Sequence, residues 1–407
     1  MSGIPLARPA PGMVLSVGGA QFGTWMQGSV DRDLRNIAGT FSLTYYDSGR
    51  AAQAVQPDLD TAPPFQIIRE GMACTVTLDG VLALKGYIDT VSVSRSAGSL
   101  SATITGRDVT GDLVDCAAAP TGPVEWRGLT VLALAQQICK PFGIDVRADV
   151  PIGDPFPVFG IEVGETAMLA IERAARQRAL LVVSDGIGGL LLTRGGNSRA
   201  PGALAVPGNV THAAYQSSWL QRFSDYYVKG QTNPRLARYG RKAGLTSSTN
   251  PTSAPGVPPA VSETVAEAAT VQMTGHAIDP EIKRYRPTVR GVRTQSGSSS
   301  VQAQAEWALR VARGMGRTGH YSVLGWGPSP GGALWLPNQL VQVSDAYADI
   351  NRDMLIASVR YSLSNKGASS VIGIAGRTAF DRIDEPAQSE GFIQKPTPKS
   401  FGPTKQG

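Results

Sequence analysis

Cysteine is scarce in this chain of 407 residues: Cys74, Cys116 and Cys139 are the three present, far apart and odd in number. That pattern excludes a disulfide framework or a zinc knuckle, and each reads as a small buried hydrophobe. Histidine is equally sparse. His212, His276 and His320 sit in separate segments without the spacing of a zinc site or of an acid–base pair, and are expected in ordinary polar or half-buried positions. Walker loops and H-E-x-x-H helices are missing. No apolar run reaches the ~18 residues of a membrane span, and Met1 to Gly12 lacks a signal-peptide core. Ala179 to Leu192 comes nearest, but Asp185 and its glycines make it a hairpin. The expectation is a chain made and folded in a cytoplasm.

Charge is modest as well. Charged residues make up 17 %, and the 38 Lys and Arg, which leave a net +6, are scattered rather than gathered into a nucleic-acid arm. With 42 % hydrophobic residues, 47 Gly and 28 Pro, the composition is that of a folded, turn-rich chain dominated by strands. Its length implies several domains.

Short segments of alternating polarity mark the first domain. Ser29 to Leu34, Thr40 to Tyr45, Cys74 to Leu78, Ala83 to Ser94 and Leu100 to Gly106 all have the period of half-buried strands, with Asp79-Gly80 and Ala97-Gly98 at hairpin turns. After Asp115 the texture changes. Leu129 to Cys139 predicts a helix stopped by Pro141. Thr166 to Ala179 predicts another, with Met168, Leu169, Ile171 and Ala175 on one side. Leu180 to Ser184 and Gly189 to Thr193 form a hairpin. Strands return from Asn209 to Gln231, Ala243 to Ser262 reads as a mobile loop, Val301 to Arg313 as a helix, and strands resume at Tyr321.

Three features imitate catalytic chemistry. Gly314, Gly316 and Gly319 spell G-x-G-x-x-G, but they follow a predicted helix and precede a strand, the reverse of a dinucleotide site, so a helix cap and turn is the reading. Glu165, Glu172 and Asp185 are carboxylates that a glycoside hydrolase would need in pairs. Glu165 instead suits a helix start, Glu172 pairs with Arg176 one turn on, and Asp185 suits a turn. Of the tryptophans, Trp126, Trp219, Trp307, Trp326 and Trp335 read as core, and Trp25 as core or interface.

An internal repeat reshapes the fold expectation. Ile88, Val91 and Ser94 lie over Ile356, Val359 and Ser362. After a two-residue slip in the turn, Ile104-Thr-Gly106-Arg107 lies over Ile374-Ala-Gly376-Arg377. Chance likeness of two amphipathic hairpins is the alternative.

Further strings follow in order: Gly86-Tyr87-Ile88-Asp89, Thr105-Gly106-Arg107-Asp108, Asp112-Leu113-Val114-Asp115-Cys116, Pro141-Phe142-Gly143-Ile144, Gly164-Glu165-Thr166-Ala167, Arg222-Phe223-Ser224-Asp225-Tyr226-Tyr227, Arg284-Tyr285-Arg286-Pro287 and Leu334-Trp335-Leu336-Pro337-Asn338. Through them the sequence resembles the Mu-like P baseplate hub family of contractile-tailed phages, similar to the hub of T-even phages. The resemblance implies a mainly β fold with an α+β insertion, in which two related barrel-like tube domains flank a small α+β domain. The expected divisions are 1–118 for the first tube-like domain, 119–205 for the α+β domain, and 206–242 with 276–380 for the second. A Pro/Ser-rich loop takes 243–275 and an extended arm 381–407.

The resemblance further implies a structural, non-enzymatic subunit of the virion. Its partners would be two further copies in a homotrimer, a tail tube protein above, a central spike protein below, other baseplate proteins, and DNA passing through the lumen without sequence-specific binding. No cofactor, metal or catalytic residue is expected. Arg107 and Arg377, at the ends of the repeated hairpins, are the candidate interface residues, the alternative being that each caps its own sheet at a solvated rim. Two other functions remain open: a tail-associated cell-wall hydrolase, marked by a close carboxylate pair in a cleft, and a basic DNA-binding tail protein.

Overall fold

The structure, a computed structural model, describes residues 12–47, 67–96, 99–232, 271–291, 301–329 and 331–383. The loop expected from Ala243 to Ser262 and nearly all of the arm at 381–407 lie outside them.

Alternation becomes burial in the first strand, β1 (Met13–Val17), where Met13, Leu15 and Val17 are buried and Val14 and Ser16 are not. Then come β2 (Ala20–Phe22), β3 (Gln27–Asp33), β4 (Asn36–Asp47), β5 (Ala73–Leu78), β6 (Val81–Ser96) and β7 (Ser99–Asp108). They pair antiparallel in the order β1-β5-β6-β7-β4-β3, with β2 outside β1.

A helical unit follows: α1 (Gly111–Asp115), β8 (Glu125–Trp126), α2 (Val131–Cys139), β9 (Asp145–Ala148), β10 (Phe159–Gly160), α3 (Ala167–Arg176), β11 (Leu181–Ser184) and β12 (Gly189–Thr193). Thr130 and Thr166 cap α2 and α3 by accepting the amides of Ala133 and Leu169 at 3.2 and 3.3 Å. Pro141 stands in a tight turn beyond α2, and Gly143 ends it in the left-handed region at φ 66°. Val131, Leu134 and Ile138 of α2 and Met168, Ile171 and Ala175 of α3 close over the β11–β12–β9 sheet. Each large aliphatic sealed there contributes about 1.5–3 kcal/mol. Leu169, placed on that side by its spacing, is instead 52 % exposed, because one residue on from Met168 turns it away.

The chain then returns to strands with β13 (Ser198–Val206) and β14 (Val210–Ser217). A small unit of β15 (Asp225–Thr232), β16 (Val271–Ile278), β17 (Pro287–Gly291) and α4 (Val301–Met315) intervenes before β18 (Arg317–Leu324), β19 (Gln339–Asp345), β20 (Ile350–Ser364) and β21 (Gly367–Gly376). The neighbour order β13-β19-β20-β21-β18-β14 repeats that of the first unit strand for strand. One difference is that β13 runs parallel to β19, whereas β1 runs antiparallel to β5.

Boundaries move accordingly. Residues 198–205, grouped above with the α+β domain, lie in β13, which hydrogen-bonds to β19 and so belongs to the later sheet. The stretch 206–242 with 276–380 is not one unit either, because β15, β16 and β17 form a separate three-stranded sheet under α4, inserted between β14 and β18. Residues 271–275, assigned above to the loop, are part of β16, whose alternation pairs it with β15.

Both copies share one sheet. β3 of the first pairs antiparallel with the second half of β20, while β19 pairs with the first half. One core runs beneath the joint, from Met13, Leu43 and Val76 to Tyr321, Val343 and Ile372.

Candidate assembly surface

The repeated hairpins carry the candidate site, and their register shows how they correspond. β7 and β21 lie 268 positions apart at both ends, Ser99 to Gly367 and Asp108 to Gly376. The closing pairs Ser96–Ser99 and Ser364–Gly367 keep the same spacing, and so do the bulges, between Ile88 and Thr90 and between Ile356 and Ser358. The two-residue slip is therefore absent. Position 107 matches Ala375, and Arg377 matches Val109. Both hairpins end in Gly-Arg, which makes the slipped alignment attractive in sequence, but the two arginines are not equivalent.

Their surroundings differ too. Arg107 donates to Asp89 at 2.8 Å and to Asp115 at 2.7 Å, tying the hairpin to α1 within its own chain. Arg377 is exposed, just beyond β21 and near the carboxyl of Asp381, which burial pushes upward and Arg310 and Arg377 draw down. Gly106, beside Arg107, lies where chain crosses chain. A Cβ there would stand 2.1 Å from the Tyr87 carbonyl oxygen and 2.6 Å from the Phe41 ring.

The catalytic look-alikes resolve into structural uses. Gly314 closes α4 and Gly319 lies in β18, so the glycine motif is a cap and turn. A Cβ at Gly314 would meet the Ala379 backbone at 2.4 Å, which is why the helix can lie against the chain after β21. Glu165 takes bonds from Arg173 at 2.9 and 2.7 Å, and although burial raises its carboxyl, these and the Glu162 amide hold it below the usual range. Glu172 pairs with Arg176 at 3.5 Å. Asp185 accepts the amides of Ile187 and Gly189 in its turn.

One constellation has the elements of a nucleophilic triad. His276 Nε2 lies 2.8 Å from Asp225 Oδ1, and the Ser224 hydroxyl is next to it. The order of contacts is wrong for catalysis. Ser224 donates to Asp225 rather than to histidine and accepts the Arg286 amide, while the imidazole is stacked on Tyr227 with centroids 4.3 Å apart. His212 and His320 lie on the neighbouring strands β14 and β18. Among the described residues no group of three or more His, Cys, Asp or Glu is placed to hold a metal ion, and no helix is long and apolar enough to cross a membrane.

Cys74 and Cys139 are buried and their thiols pushed up to about 12, first by burial, so both are inert packing. Cys116 is exposed, contrary to expectation, because the chain leaves α1 extended there. Trp219 is 43 % exposed rather than core, whereas Trp25, Trp326 and Trp335 are buried.

A cluster the sequence reading missed anchors the inserted unit. Arg222 donates to Asp279 and Glu281, and Glu281 also receives Arg313 of α4 at 2.8 Å and Arg317 of β18 at 3.1 Å. Its members are up to 95 positions apart in sequence (Arg222 to Arg317), so spacing carries no signal of it; only an arginine set just before the aromatic start of β15 hints at a buried charge.

With this geometry in hand, comparison with known proteins is specific. Residues 12–108 match the N-terminal domain of the Mu phage baseplate assembly protein GpP-like family. Residues 110–194 match the second domain of the baseplate hub protein gp44-like family, and residues 297–383 the fourth domain of Mu phage GpP. The chain is 28 % identical over 375 residues to the baseplate hub protein gp44 of Escherichia phage Mu, covering 90 % of this chain and 88 % of that one. Among solved structures, the 43 kDa tail protein of prophage MuSo2 from Shewanella oneidensis is 28 % identical, covers 91 % of this chain and all of its own, and aligns with a TM-score of 0.73. A tail protein from Neisseria meningitidis MC58, at 22 % identity and a TM-score of 0.67 over 92 % of this chain, shares the fold.

Proposed function

We propose that this chain is a baseplate hub subunit of the Mu-like kind that its three domain matches and the gp44 match describe, and that three copies of it close a ring joining a six-fold tail tube to a three-fold spike. The observation that carries the reading is the repeat itself. Two units with the same strand order, held at a constant spacing of 268 between β7 and β21, give each subunit two near-equivalent faces. Three subunits then present six such faces upward and three-fold contacts below.

A ring of this kind encloses a passage for DNA, and the solvent side of the long sheet is suited to line it. Ser42 and Thr44 of β4, Ser92 and Ser94 of β6, and Ser101, Thr103 and Thr105 of β7 point away from the core. The charges bordering those hydroxyls are paired, Asp31 with Arg360 and Arg107 with Asp89 and Asp115. Hydroxyls without net charge neither hold a polyanion nor repel it. Arg107 and Arg377 remain our interface candidates, as two different contacts rather than one contact used twice.

The function is assembly rather than catalysis. The mass of the purified particle tests this: sedimentation should give three chain masses, and a single-chain mass at tens of micromolar overturns the ring. No muropeptide release from purified peptidoglycan is expected, and no salt-sensitive retention of duplex DNA.

A further inference from the structure

We propose that the outer edge of β6, from Thr90 to Arg95, receives β14 of a second copy of this chain as one additional antiparallel strand. The proposal rests on the ring reading above and names the joint that closes it.

The template lies within the subunit. The second half of β20 is flanked by β21 on one side and β3 on the other, and at its centre Tyr361 faces Val30, both 0 % exposed. The position 268 earlier, at the same place beyond the same bulge, is Val93 of β6, which is 51 % exposed. A core-side position is open there because β5 pairs only as far as Tyr87 and, among the described residues, no strand flanks β6 beyond it on that side.

The complementary edge is on β14. Just as β3 pairs with β4 and β4 with β7, β14 pairs with β18 and β18 with β21, so β14 is the counterpart of β3. Its far edge carries no paired strand among the described residues. Two such open edges on one sheet, along β14 and along β6 beyond the end of β5, are templates for chain-to-chain pairing.

The internal joint also fixes the register. Opposite Arg107 in β7 stands Thr40, and opposite the equivalent Ala375 stands Thr318. Thr40 faces Asp31 in β3, and Thr318 faces Gln216 in β14. Carrying the β20–β3 pairs across, Tyr361–Val30 becomes Val93–Tyr215, Ser362–Ser29 becomes Ser94–Ala214, and Arg360–Asp31 becomes Ser92–Gln216. Val93 and Tyr215 thus meet on the core side, apolar against apolar, as their internal counterparts do. The joint is head-to-tail, each chain offers one of each edge, and repetition continues until the ring closes.

The test is a disulfide in the predicted register. In a Cys116→Ser background, Val93→Cys combined with Tyr215→Cys should give cross-linked species of two and three chain masses on mild oxidation, reversed by reductant. Ser94→Cys with Tyr215→Cys, whose side chains leave opposite faces, should give little. Val93→Lys should abolish the three-chain mass while leaving the melting temperature of the chain unchanged. A three-chain particle without cross-links in the predicted pair overturns this joint and leaves the ring standing, whereas a single-chain mass for the unaltered protein overturns both.

Discussion

Arg222 donates to Asp279 Oδ2 through both Nε and Nη2, at 3.1 and 2.6 Å, with the two side chains 1 % and 0 % exposed. The pair fixes the inserted unit to the sheet, since Glu281, two residues on, brings in Arg313 and Arg317. Removing one partner leaves a buried charge unmatched. Asp279→Ala should cost about 3–5 kcal/mol, and Arg222→Met with Asp279→Leu together much less. Denaturant midpoints of the three variants against the native chain give the comparison.

Acid should loosen the same cluster. Burial pushes the Glu281 carboxyl up, but bonds from Arg222 and Arg313 and the charge of Arg317 outweigh it and hold the group at about 2, below its ordinary 4.5. A lowered folded-state value means stability that is present above pH 4.5 and lost as pH falls towards 2. Glu281→Gln should therefore melt below the native chain at neutral pH, with a gap that narrows over that interval. An unchanged gap in thermal midpoints from pH 7 to pH 2.5 would sink the assignment.

Gly106 allows β6 and β7 to cross closely. Gly106→Ala should destabilise by about 1–3 kcal/mol, since the added methyl meets a carbonyl and a buried ring that cannot both withdraw. Gly291→Ala, where nothing among the described residues lies within 4 Å, is the matched control and should be near neutral in thermal melts.

The two hairpin-end arginines should separate in their effects. Arg107→Ala breaks two partly exposed ion pairs inside its own chain and should cost at most about 1 kcal/mol. Arg377→Ala should leave the melt unchanged and reduce the yield of three-chain particles. Equal ring mass from both variants would remove Arg377 from the interface.

Local features were legible in the sequence because they are encoded among near neighbours. Thr130 and Thr166 announce their helices, Gly186 and Gly188 their hairpin, and a glycine motif on the wrong side of a helix its cap. Partner choice is a different matter. Nothing near Asp31 says that it will pair with Arg360, 329 positions later. The arginine cluster was hidden for the same reason, and Trp219 was misplaced because an aromatic beside a strand looks like core until the neighbouring surface is known. The repeat was visible, but Gly-Arg at the end of each hairpin drew the alignment off by two residues, and only the bulges and closing turns correct it.

The union of β3 with β20 also sets a timetable. At about 5–20 residues per second a ribosome needs roughly 15–65 seconds to travel from Asp31 to Arg360. Throughout that wait the edge of β3 away from β4 is finished and unmatched, on a polysome where sibling chains display the β6 edge that resembles its eventual partner. The first strand to arrive at that edge would be the wrong one from a neighbour, so the order of synthesis, and not only the final geometry, bears on whether rings or tangled chains accumulate.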